Sequence, residues 1–506
     1  MKEEGYTTPQ KFSKIIDNQE VVISSLIVIL ALSLRAYGLG SNSLWLDELW
    51  GLRGAQSQST SELFSWIYSL EYSDAPAFFV IEWISFRAPL LGPEASLRLA
   101  PMFFSTATVP FVGLLARRWF DRRTAVISML LFSVSMTQIY FAQEARPYSG
   151  MIFFTTLNTW LWLEIISPRK TTEKSNTILV LYIIFSVLGC YFDYYIILVT
   201  IAHLLSTPLL TNFRPTEFRN QFAIFGVIVL FFTPCIPKLL RDLRNSPSYP
   251  KDPEIYFFRN YQVLHFNSWE LFFWISIALY SFHLYRCIMS YDRSKTIPDN
   301  AAQFLPELLF VSWLALPAIL LVLISWATDP IVTTKRLLFT SPASYILLAR
   351  ASVEFGKLTP KLDIFPYLLA STLLAHTLFI GDYFTEPQKQ PMRDGLEYLN
   401  EYSADDAVYA YPDSHFFITY EESLFENSNI SWHSSYDDHD GFIEFVRENN
   451  IGWILIADNK ANPFEVGSLL SEIDQSAKIV DERRWDHMDP LNEGWVSVRV
   501  LMISIG

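Results

Sequence analysis

Two adjacent carboxylates, Asp47 and Glu48, lie among large apolar residues in the stretch SLWLDELW, directly after the first long apolar segment of the chain. At that position the pair would be close to a bilayer surface, where taking a carboxylate out of water is costly. In one interpretation the stretch is an interfacial anchor, with Trp45 and Trp50 at headgroup level and both acids pointing to water. In the other, one carboxylate is catalytic and takes a proton from a substrate that arrives in the membrane. The stretch alone leaves both interpretations open.

A third carboxylate, Asp74, precedes Pro76 at the start of another apolar run. An Asp shortly before a proline in the first turn of a helix is a common N-cap, because its side chain can accept a hydrogen bond from a free backbone N–H. Capping does not exclude a second role. We therefore predict that Asp74 also takes part in substrate binding.

A polar cluster follows at Gln143, Glu144, Arg146 and Tyr148, between two predicted membrane segments. It combines acceptors, a fixed cation and a phenol at one membrane edge. The planar guanidinium of an arginine binds phosphate oxygens in a bidentate manner, so a lipid phosphate is a candidate ligand. The alternatives are that Glu144 and Arg146 pair with each other, or that Arg146 extends its charge to the interface.

Lys335 and Arg336 form a cationic pair that leads into an apolar segment from the predicted outer side. Positive charge on that side opposes the usual bias of membrane proteins toward basic inner loops. We predict that the pair binds phosphate, and the alternative is again that the side chains reach to the headgroups.

The elements that position these residues are predicted to be membrane helices. Of the 506 residues, 51% are hydrophobic and only 18% are charged, whereas soluble proteins carry about 25% charged residues. Long apolar runs recur to about residue 380, which predicts a polytopic α-helical membrane protein. The N-terminus shows no cleavage pattern, so we expect the first segment to remain as an anchor. Eleven candidate spans can be drawn, at 21–38, 99–116, 124–141, 149–166, 177–192, 195–212, 220–237, 269–286, 305–326, 337–350 and 363–381.

Loop charges predict the orientation. With the N-terminus in the cytoplasm, the inner loops at 117–123, 169–174, 214–219, 286–295 and 350–361 are all basic, as the positive-inside rule expects. One outer loop, 238–268, is a basic exception. This topology puts the long first loop, residues 36–98, on the outer side. Its amphipathic stretches at 61–70 and 76–86 predict short interfacial helices over a membrane-embedded cavity.

Residues 385–506 form the predicted second domain. They contain 24 Asp and Glu against 8 Lys and Arg, a net charge of −16, so residues 1–384 sum to +2 of the total of −14. Helical and strand patterns alternate there, with strands expected at 407–411, 452–458, 477–480 and 495–503 and helices at 393–402, 441–449 and 465–473. We predict a soluble α/β domain on the outer side. Its acidity argues against a nucleic-acid partner, which would need a basic patch.

The sequence shows no glycine-rich phosphate loop, no nucleophile elbow, no internal repeat and no His or Cys set at the usual metal spacings. Cys190, Cys235 and Cys287 are expected to be small core residues, and His203 and His376 to be packed helix residues. Carboxylates that face cations at one membrane edge instead favour group transfer from a lipid phosphate. In such chemistry a carboxylate deprotonates the acceptor and cations stabilise the leaving phosphate.

At these residues the chain resembles the family 39 glycosyltransferases of the GT-C superfamily, which include the protein O-mannosyltransferases, and the related bacterial transferases that place aminoarabinose on lipid A. The resemblance runs from the first span to about residue 350. Its carriers are Trp45–Glu48, Asp74–Phe79, Arg98–Pro101, Ala116–Phe120, Tyr140–Tyr148 and Arg336–Arg350.

The resemblance implies the GT-C fold, a polyprenyl- or dolichyl-phosphate sugar donor, and inverting transfer on the outer face of a membrane, here expected to be a bacterial plasma membrane. The acceptor would be a glycan, a lipid or a protein. Asp47 corresponds to the usual general base, Glu48 is a second catalytic candidate, and Arg146, Tyr148, Lys335 and Arg336 become candidates for binding the donor phosphate.

Two departures from the family pattern limit what carries over. The sequence Asp74-Ala75-Pro76 lacks the doubled proline and the histidine of the eukaryotic mannosyltransferases, so protein mannosylation is not supported. Family members differ in their use of metals, and we predict no metal or other cofactor. The rival interpretations are a flippase for lipid-linked glycans and a polymerase or ligase that uses a lipid-diphosphate donor.

Overall fold

The computed structural model describes residues 18–70, 74–88, 91–166, 172–211, 215–245, 269–289, 297–327, 335–380, 383–385, 388–403, 407–411, 414–425, 428, 430–432, 451–459, 478–489 and 494–504. Within these ranges the α-helices are α1 (Asn18–Ala36), α2 (Leu46–Ala55), α3 (Thr60–Ser69), α4 (Pro76–Ser85), α5 (Pro93–Trp119), α6 (Arg122–Val134), α7 (Met136–Ala142), α8 (Tyr148–Ile166), α9 (Thr172–Phe192), α10 (Ile196–Leu210), α11 (Pro215–Phe232), α12 (Ile236–Asn245), α13 (Glu270–Met289), α14 (Ile297–Ala327), α15 (Ser341–Gly356), α16 (Phe365–Ala375), α17 (Met392–Tyr402) and α18 (Ser414–Leu424). Short 3₁₀ turns lie at Thr233–Cys235, Lys335–Thr340 and Pro360–Leu362, and a π-helical turn at His376–Ile380.

The described helices confirm a polytopic helical membrane fold. Six of them are long and apolar enough to cross a bilayer, and a seventh span results if the bent pair α6 and α7 counts as one. The spans predicted at 177–192 and 195–212 coincide with shorter apolar helices, Asn176–Phe192 and Ile196–Pro208. The segments 149–166 and 337–350 are helical but do not meet the same criteria of length and hydropathy. The count of eleven spans therefore stays a prediction.

The helical core packs around α5, α6, α8 and α15. Helix α8 buries side chains on nearly every face, which is typical of a helix enclosed by other helices. Helices α6 and α7 meet at an angle of 58°, because Ser135 between them has extended backbone angles. A break of this kind leaves carbonyl groups without helical partners.

Arg35, at the end of α1, supplies partners for those carbonyls. Its guanidinium donates to the backbone oxygens of Ser133 at 3.0 Å and Phe132 at 3.2 Å, and to the Ser105 hydroxyl at 2.8 Å. Arg35 is fully buried. A buried polar group needs such hydrogen bonds to offset its loss of hydration. The contacts fix the bend, and the bend directs the end of α7 toward the residues that follow at 143–148.

The long first loop contains three helices, α2, α3 and α4. The helices predicted at 61–70 and 76–86 are confirmed as α3 and α4, and their interfacial position stays a prediction. Helix α2 begins within the stretch SLWLDELW, so that Asp47 and Glu48 lie in its first turn. The loop thus presents its two acids at a helix N-terminus, where the helix dipole stabilises negative charge.

The C-terminal residues form a five-stranded sheet in the order β2-β1-β3-β5-β4. Its strands are β1 (Ala407–Tyr411), β2 (Ser431–Trp432), β3 (Ile451–Asn459), β4 (Lys478–Asp489) and β5 (Gly494–Ser504). Strands β1 and β2, and β1 and β3, pair in parallel, whereas β5 is antiparallel to both β3 and β4.

The predicted helix at 393–402 coincides with α17, and the strands predicted at 407–411, 452–458 and 495–503 coincide with β1, β3 and β5. The strand predicted at 477–480 overlaps only the first three residues of β4. The predicted helices at 441–449 and 465–473 lie outside the described residues. The division of the chain into domains at residue 385 stays a prediction.

The sheet segment and the first loop share a hydrophobic core. Leu49 and Leu52 of α2 belong to the same buried cluster as Leu396 of α17 and Val500 of β5. A polar contact also joins the two segments, since the Tyr420 hydroxyl donates a hydrogen bond to the Glu94 carboxylate at 2.7 Å. The C-terminal segment therefore supports the loop that carries Asp47.

Candidate active site

A buried ion pair fixes the start of α2. Glu48 is fully buried and accepts two hydrogen bonds from Arg98 of α5, at 2.9 and 2.6 Å. It also accepts from the backbone N–H of Ala145 at 2.7 Å. Burial alone would raise the pKa of Glu48, but the adjacent Arg98 guanidinium holds that pKa below its usual value. Glu48 is thus an ionised anchor that joins three segments, and these contacts favour a positioning role over direct catalysis.

Asp47 directly precedes this anchor and is partly exposed. Arg146 approaches it, because one guanidinium nitrogen lies 3.4 Å from the Asp47 backbone oxygen. Among the residues that the structure describes, the Asp47 carboxylate has neither a hydrogen bond nor an ion pair. A carboxylate that is accessible, held at a helix N-terminus and close to a cation is suited to accept a proton from a substrate.

Asp74 and Arg146 form the second element of the site. Their side chains meet at 2.8 Å and remain 21% and 17% exposed, so a ligand can reach both. Burial would lower the pKa of Arg146, but the carboxylates of Asp74 and Asp47 raise it well above its usual value. The Nε atom of Arg146 is buried without a hydrogen-bond partner in the described structure. The guanidinium is therefore permanently charged and keeps a free donor.

Two alternatives from the sequence are wrong. Asp74 is not the N-cap of α4, because Ala75 occupies that position and no side chain caps it. Glu144 does not pair with Arg146. Its carboxylate instead binds Lys389, at 2.9 Å.

Lys389 is a cation of the site that sequence reasoning misses. It comes from the segment before α17 and is only 5% exposed. Its ammonium lies 3.7 Å from the ring centre of Tyr140 and 5.5 Å from that of Trp45, distances at which an aromatic face attracts a cation. The C-terminal segment therefore contributes charge directly to the edge of the site.

Lys335 and Arg336 each lie near an aromatic ring of the site. The Lys335 ammonium is also 5.5 Å from the Trp45 ring, and the Arg336 guanidinium is 5.1 Å from the ring of Tyr195. The indole N–H of Trp45 is buried and has no acceptor within the described ranges. Trp45 thus has two cations near its ring, Lys335 and Lys389, and an unused donor of its own.

Asp193, in the turn between α9 and α10, is another residue that the sequence analysis misses. Burial raises its pKa to about 7, and Asp74 raises it further, whereas Arg336 and Arg146 act in the opposite direction. It accepts a hydrogen bond from the Tyr195 backbone at 2.8 Å. These effects place Asp193 within electrostatic range of both cationic elements. We use the name Asp47 cluster for Asp47, Asp74, Arg146, Asp193, Lys335 and Arg336.

The Asp193 carboxyl predicts a pH dependence of anion binding. Since its pKa is near 7, it is mostly neutral at pH 6 and mostly charged at pH 8. Its negative charge would weaken an anion held by Arg146 and Arg336. We expect affinity for a phosphodiester lipid, whose own charge is constant in this range, to fall about three-fold or more between these pH values. Lipid affinity measured from pH 6 to pH 8 for wild type and Asp193→Asn in nanodiscs tests this expectation. An equal fall of affinity with pH in both proteins would contradict it.

Gln143 and Tyr148 complete the set of predicted residues. The Gln143 amide donates to the backbone oxygens of Arg35 at 2.9 Å and Tyr37 at 2.7 Å, and accepts from Tyr383 at 2.9 Å. Both of its donors are thus used within the protein. Tyr148 packs edge-on against Phe141 and lies within electrostatic range of Arg146 and Asp47. The structure brings Tyr148 to the Asp47 cluster and gives Gln143 a supporting position.

Glu82 of α4 is a buried acid beside the cluster. It is 1% exposed, and both carboxyl oxygens lack a hydrogen-bond partner in the described structure. Burial raises its pKa well above the usual value, which favours the neutral acid. It occupies the space left by Gly51 of α2, where an added Cβ would lie 2.7 Å from Glu82 Oε1.

This close contact gives a prediction for packing. Gly51→Ala should lower the free energy of unfolding by about 1–3 kcal/mol, because the enclosed Glu82 side chain cannot move into solvent. Glu82→Ala in the same chain should recover most of the loss, since it removes the atoms that clash. Thermal unfolding of both variants in detergent measures the effect. No recovery in the double variant would refute the contact.

The described residues contain no three His, Cys, Asp or Glu ligand atoms that converge in the Asp47 cluster, and the one such group lies elsewhere. The prediction that the site uses no metal stays a prediction. What the cluster offers is one accessible carboxylate opposite several cations. That arrangement can remove a proton on one side of a substrate and stabilise a leaving anion on the other.

Comparisons with known proteins show a family match over part of the chain. The sequence model of the dolichyl-phosphate-mannose-protein mannosyltransferase family matches residues 74–240, about a third of the chain. An uncharacterized protein of Aquifex aeolicus is 27% identical over 151 residues, a match that covers 29% of this chain and 30% of that protein.

Solved structures share the fold over nearly the whole chain. ArnT from Cupriavidus metallidurans, bound to undecaprenyl phosphate, superposes with a TM-score of 0.58 at 13% identity, covering 96% of this chain and 98% of ArnT. The Archaeoglobus fulgidus oligosaccharyltransferase AglB, with an inhibitory peptide and a dolichol-phosphate, gives 0.51 at 11% identity, covering 88% of this chain and 70% of AglB. The family match over residues 74–240 and these shared folds make the chain similar to glycosyltransferases of the GT-C superfamily, in particular to the PMT/ArnT-like proteins.

Proposed function

We propose that this protein is an integral-membrane inverting glycosyltransferase that moves a sugar from a polyprenyl-phosphate donor to an acceptor on the outer membrane face. The observation that carries the proposal is the Asp47 carboxylate. It is accessible and unpaired among the described residues, at a helix N-terminus beside Arg146. The ArnT and AglB structures, which hold a polyprenyl and a dolichyl phosphate, support a lipid phosphate as the donor group.

The donor phosphate would lie between Arg146 and two further cations, Lys335 and Arg336. Lys335 has no carboxylate partner among the described residues, whereas Lys389 is neutralised by Glu144. We therefore assign the closest phosphate contacts to Lys335, Arg336 and Arg146. The Trp45 indole N–H is available as a further donor. The apolar helix faces below this level would accommodate the lipid tail.

The reaction is a single displacement. The Asp47 carboxylate takes the proton of the acceptor hydroxyl or amine as that atom attacks the anomeric carbon of the sugar. The bond between this carbon and the phosphate oxygen breaks, and the electron pair leaves with the polyprenyl phosphate. The cations stabilise the charge that develops on the phosphate in the oxocarbenium-like transition state. The sugar configuration is inverted because attack occurs opposite the departing oxygen.

Lys335 gives a direct test of the phosphate assignment. Lys335→Ala should weaken donor binding on the order of ten-fold or more, the effect of removing one charged hydrogen bond to phosphate. Lys361→Ala, an exposed lysine in the 3₁₀ turn at 360–362, serves as the control and should leave affinity unchanged. Isothermal titration with a polyprenyl-phosphate sugar in nanodiscs measures both. Equal affinities in all three proteins would refute the assignment.

The orientation is part of the proposal. The basic inner loops support an N-terminus in the cytoplasm of a bacterium and a site at the periplasmic or extracellular surface. The contact between the C-terminal segment and α2 supports the same side for that segment. It is therefore placed to help bind a glycan, lipid or protein acceptor.

One experiment separates this function from its two rivals. Purified protein in nanodiscs is supplied with a panel of polyprenyl-phosphate sugars, with and without acceptors, and the lipid products are identified. Release of polyprenyl monophosphate that requires an acceptor supports the transferase. Release of a diphosphate from a lipid-diphosphate donor would indicate a polymerase or ligase. Movement of intact donor across a liposome membrane without release would indicate a flippase.

A further inference from the structure

Three residues with metal-binding side chains meet at a second place in the helical bundle. His283 and Cys287 lie one turn apart on α13, and Glu307 of α14 faces them. The His283 Nε2 atom is 3.3 Å from the Glu307 carboxylate and 3.8 Å from the Cys287 sulfur. All three ligand atoms lie within 4.8 Å of one another. They come from two helices that are consecutive in the sequence and are separated by residues 290–296.

The spacing of these atoms matches a tetrahedral metal site. Bonds of about 2.0–2.3 Å from zinc to nitrogen, oxygen and sulfur place neighbouring ligand atoms about 3.3–3.5 Å apart. The separations of 3.3 and 3.8 Å lie within a few tenths of an ångström of these values. The third separation, between Cys287 and Glu307, is at most 4.8 Å, so these two side chains would move together by up to about 1.3 Å when the metal binds. A mixed imidazole, thiolate and carboxylate set is typical of zinc and related divalent ions rather than of calcium or magnesium.

Buried polar atoms at this place also lack partners. Glu307 Oε2 and His283 Nδ1 have no hydrogen bond in the described structure. Arg350 lies 3.8 Å from Glu307, but it is closer to Glu354, at 2.8 Å, and to Asp121, at 3.2 Å. Arg350 is therefore neutralised by two other acids, and Glu307 is left available for a cation.

We propose that His283, Cys287 and Glu307 bind a zinc-type divalent metal ion, with water in the fourth position. The site lies at the end of the bundle opposite the Asp47 cluster, since Asp121 follows the far end of α5 and Arg98 lies near its start. Helix α5 alone separates the two ends by about 40 Å. The ion would join α13 to α14 and stabilise the bundle without contact to the substrate, so the proposal is independent of the proposed function.

Cobalt substitution tests the proposal on the full-length protein. Protein in detergent is stripped with a chelator, dialysed and titrated with Co²⁺, whose thiolate complexes show a ligand-to-metal charge-transfer band in the near ultraviolet. We expect one equivalent of Co²⁺ to produce this band in wild type and Zn²⁺ to displace it. Cys287→Ser should abolish the band, and Glu307→Gln should weaken metal binding at least about ten-fold.

Cys235→Ser, which removes a thiol outside this group, is the matched control and should keep the band. Thermal unfolding gives a second readout, because an ion that binds only the folded state raises the unfolding temperature. The expected rise on adding Zn²⁺ should occur in wild type and in Cys235→Ser and be lost in Cys287→Ser. Less than stoichiometric binding in wild type, or an unchanged band in Cys287→Ser, would overturn the proposal.

Discussion

Asp47→Asn should leave the protein folded and able to bind donor, yet reduce the turnover number by about 10²–10⁴-fold, the usual contribution of a general base. Asparagine keeps the shape of the side chain but cannot accept the acceptor proton at neutral pH. Because the Asp47 carboxylate has no partner in the described structure, its loss should not disturb α2. Turnover by purified variants in nanodiscs, with donor affinity and thermal unfolding measured in parallel, tests the expectation.

Two further variants test whether the loss of turnover is specific to the carboxylate of Asp47. Asp394→Asn changes an exposed carboxylate in the first turn of α17, a similar helix position away from the Asp47 cluster, and should have no effect on turnover. Asp47→Glu restores the carboxylate on a longer side chain and should recover part of the lost rate. Near-normal turnover in Asp47→Asn would reject the assignment of the base. A loss of donor affinity equal to the loss of rate would indicate a binding role instead.

Glu48→Gln should lower the free energy of unfolding by about 3–5 kcal/mol, because it leaves the buried Arg98 guanidinium without its counter-charge. The same change removes the negative charge that accepts from the Ala145 N–H, next to Arg146. We therefore expect turnover to fall as well, through displacement of Arg146. Chemical or thermal unfolding in detergent, followed by circular dichroism, measures the stability.

The contribution of the Glu48 carboxylate to the free energy of unfolding depends on pH with a definite sign. The folded-state pKa of Glu48 is lowered, so its stabilising effect is present above its unfolded-state pKa and is lost as pH falls through the folded-state value. Wild-type protein should keep this contribution at neutral pH and lose it only in acid. Lys357→Ala removes an ammonium that is 49% exposed and pairs with Glu354, and should change stability by at most about 1 kcal/mol. A comparable loss in both variants would show that burial of the Glu48 pair has no special effect.

Local patterns predicted the parts of the fold that depend on neighbours in sequence. The interfacial helices α3 and α4 follow from apolar periodicity, and the start of α4 follows from Pro76. The strands β1, β3 and β5 follow from short apolar runs between polar residues, whereas β4 continues through a polar stretch and only its start is predicted. The membrane class follows from composition. All these signals act within about twenty residues.

The sequence could not predict the partners within the site, because they are distant along the chain. Glu144 is bound by Lys389, which lies 245 residues later in the chain. No local sequence pattern predicts that ion pair. The sequence allowed Arg146 to pair with the nearby Glu144. In the fold, Glu144 is buried beside Lys389 and pairs with it, and Arg146 pairs with Asp74. Asp74 has the spacing of an N-cap, yet an ion pair with Arg146 is the contact that forms.

Two missed features, Asp193 and the pair His283 and Cys287, did leave a signal. Asp193 is the only charged residue between Lys174 and Arg214, and an isolated acid in a long apolar stretch indicates a functional or strongly held group. His283 and Cys287 stand four residues apart, which puts both on one helix face. The third ligand, Glu307, belongs to another helix, so only the fold reveals the set.

The most direct test of the central claim is a single-turnover reaction in nanodiscs with a polyprenyl-phosphate sugar of one defined anomeric configuration. Product configuration is determined by NMR, and transferred sugar and released polyprenyl phosphate are quantified together. We predict one polyprenyl phosphate released per sugar transferred and an inverted anomeric centre. A retained configuration, or release of lipid phosphate without transfer of sugar to the acceptor, would contradict direct displacement from a lipid phosphate at the Asp47 cluster.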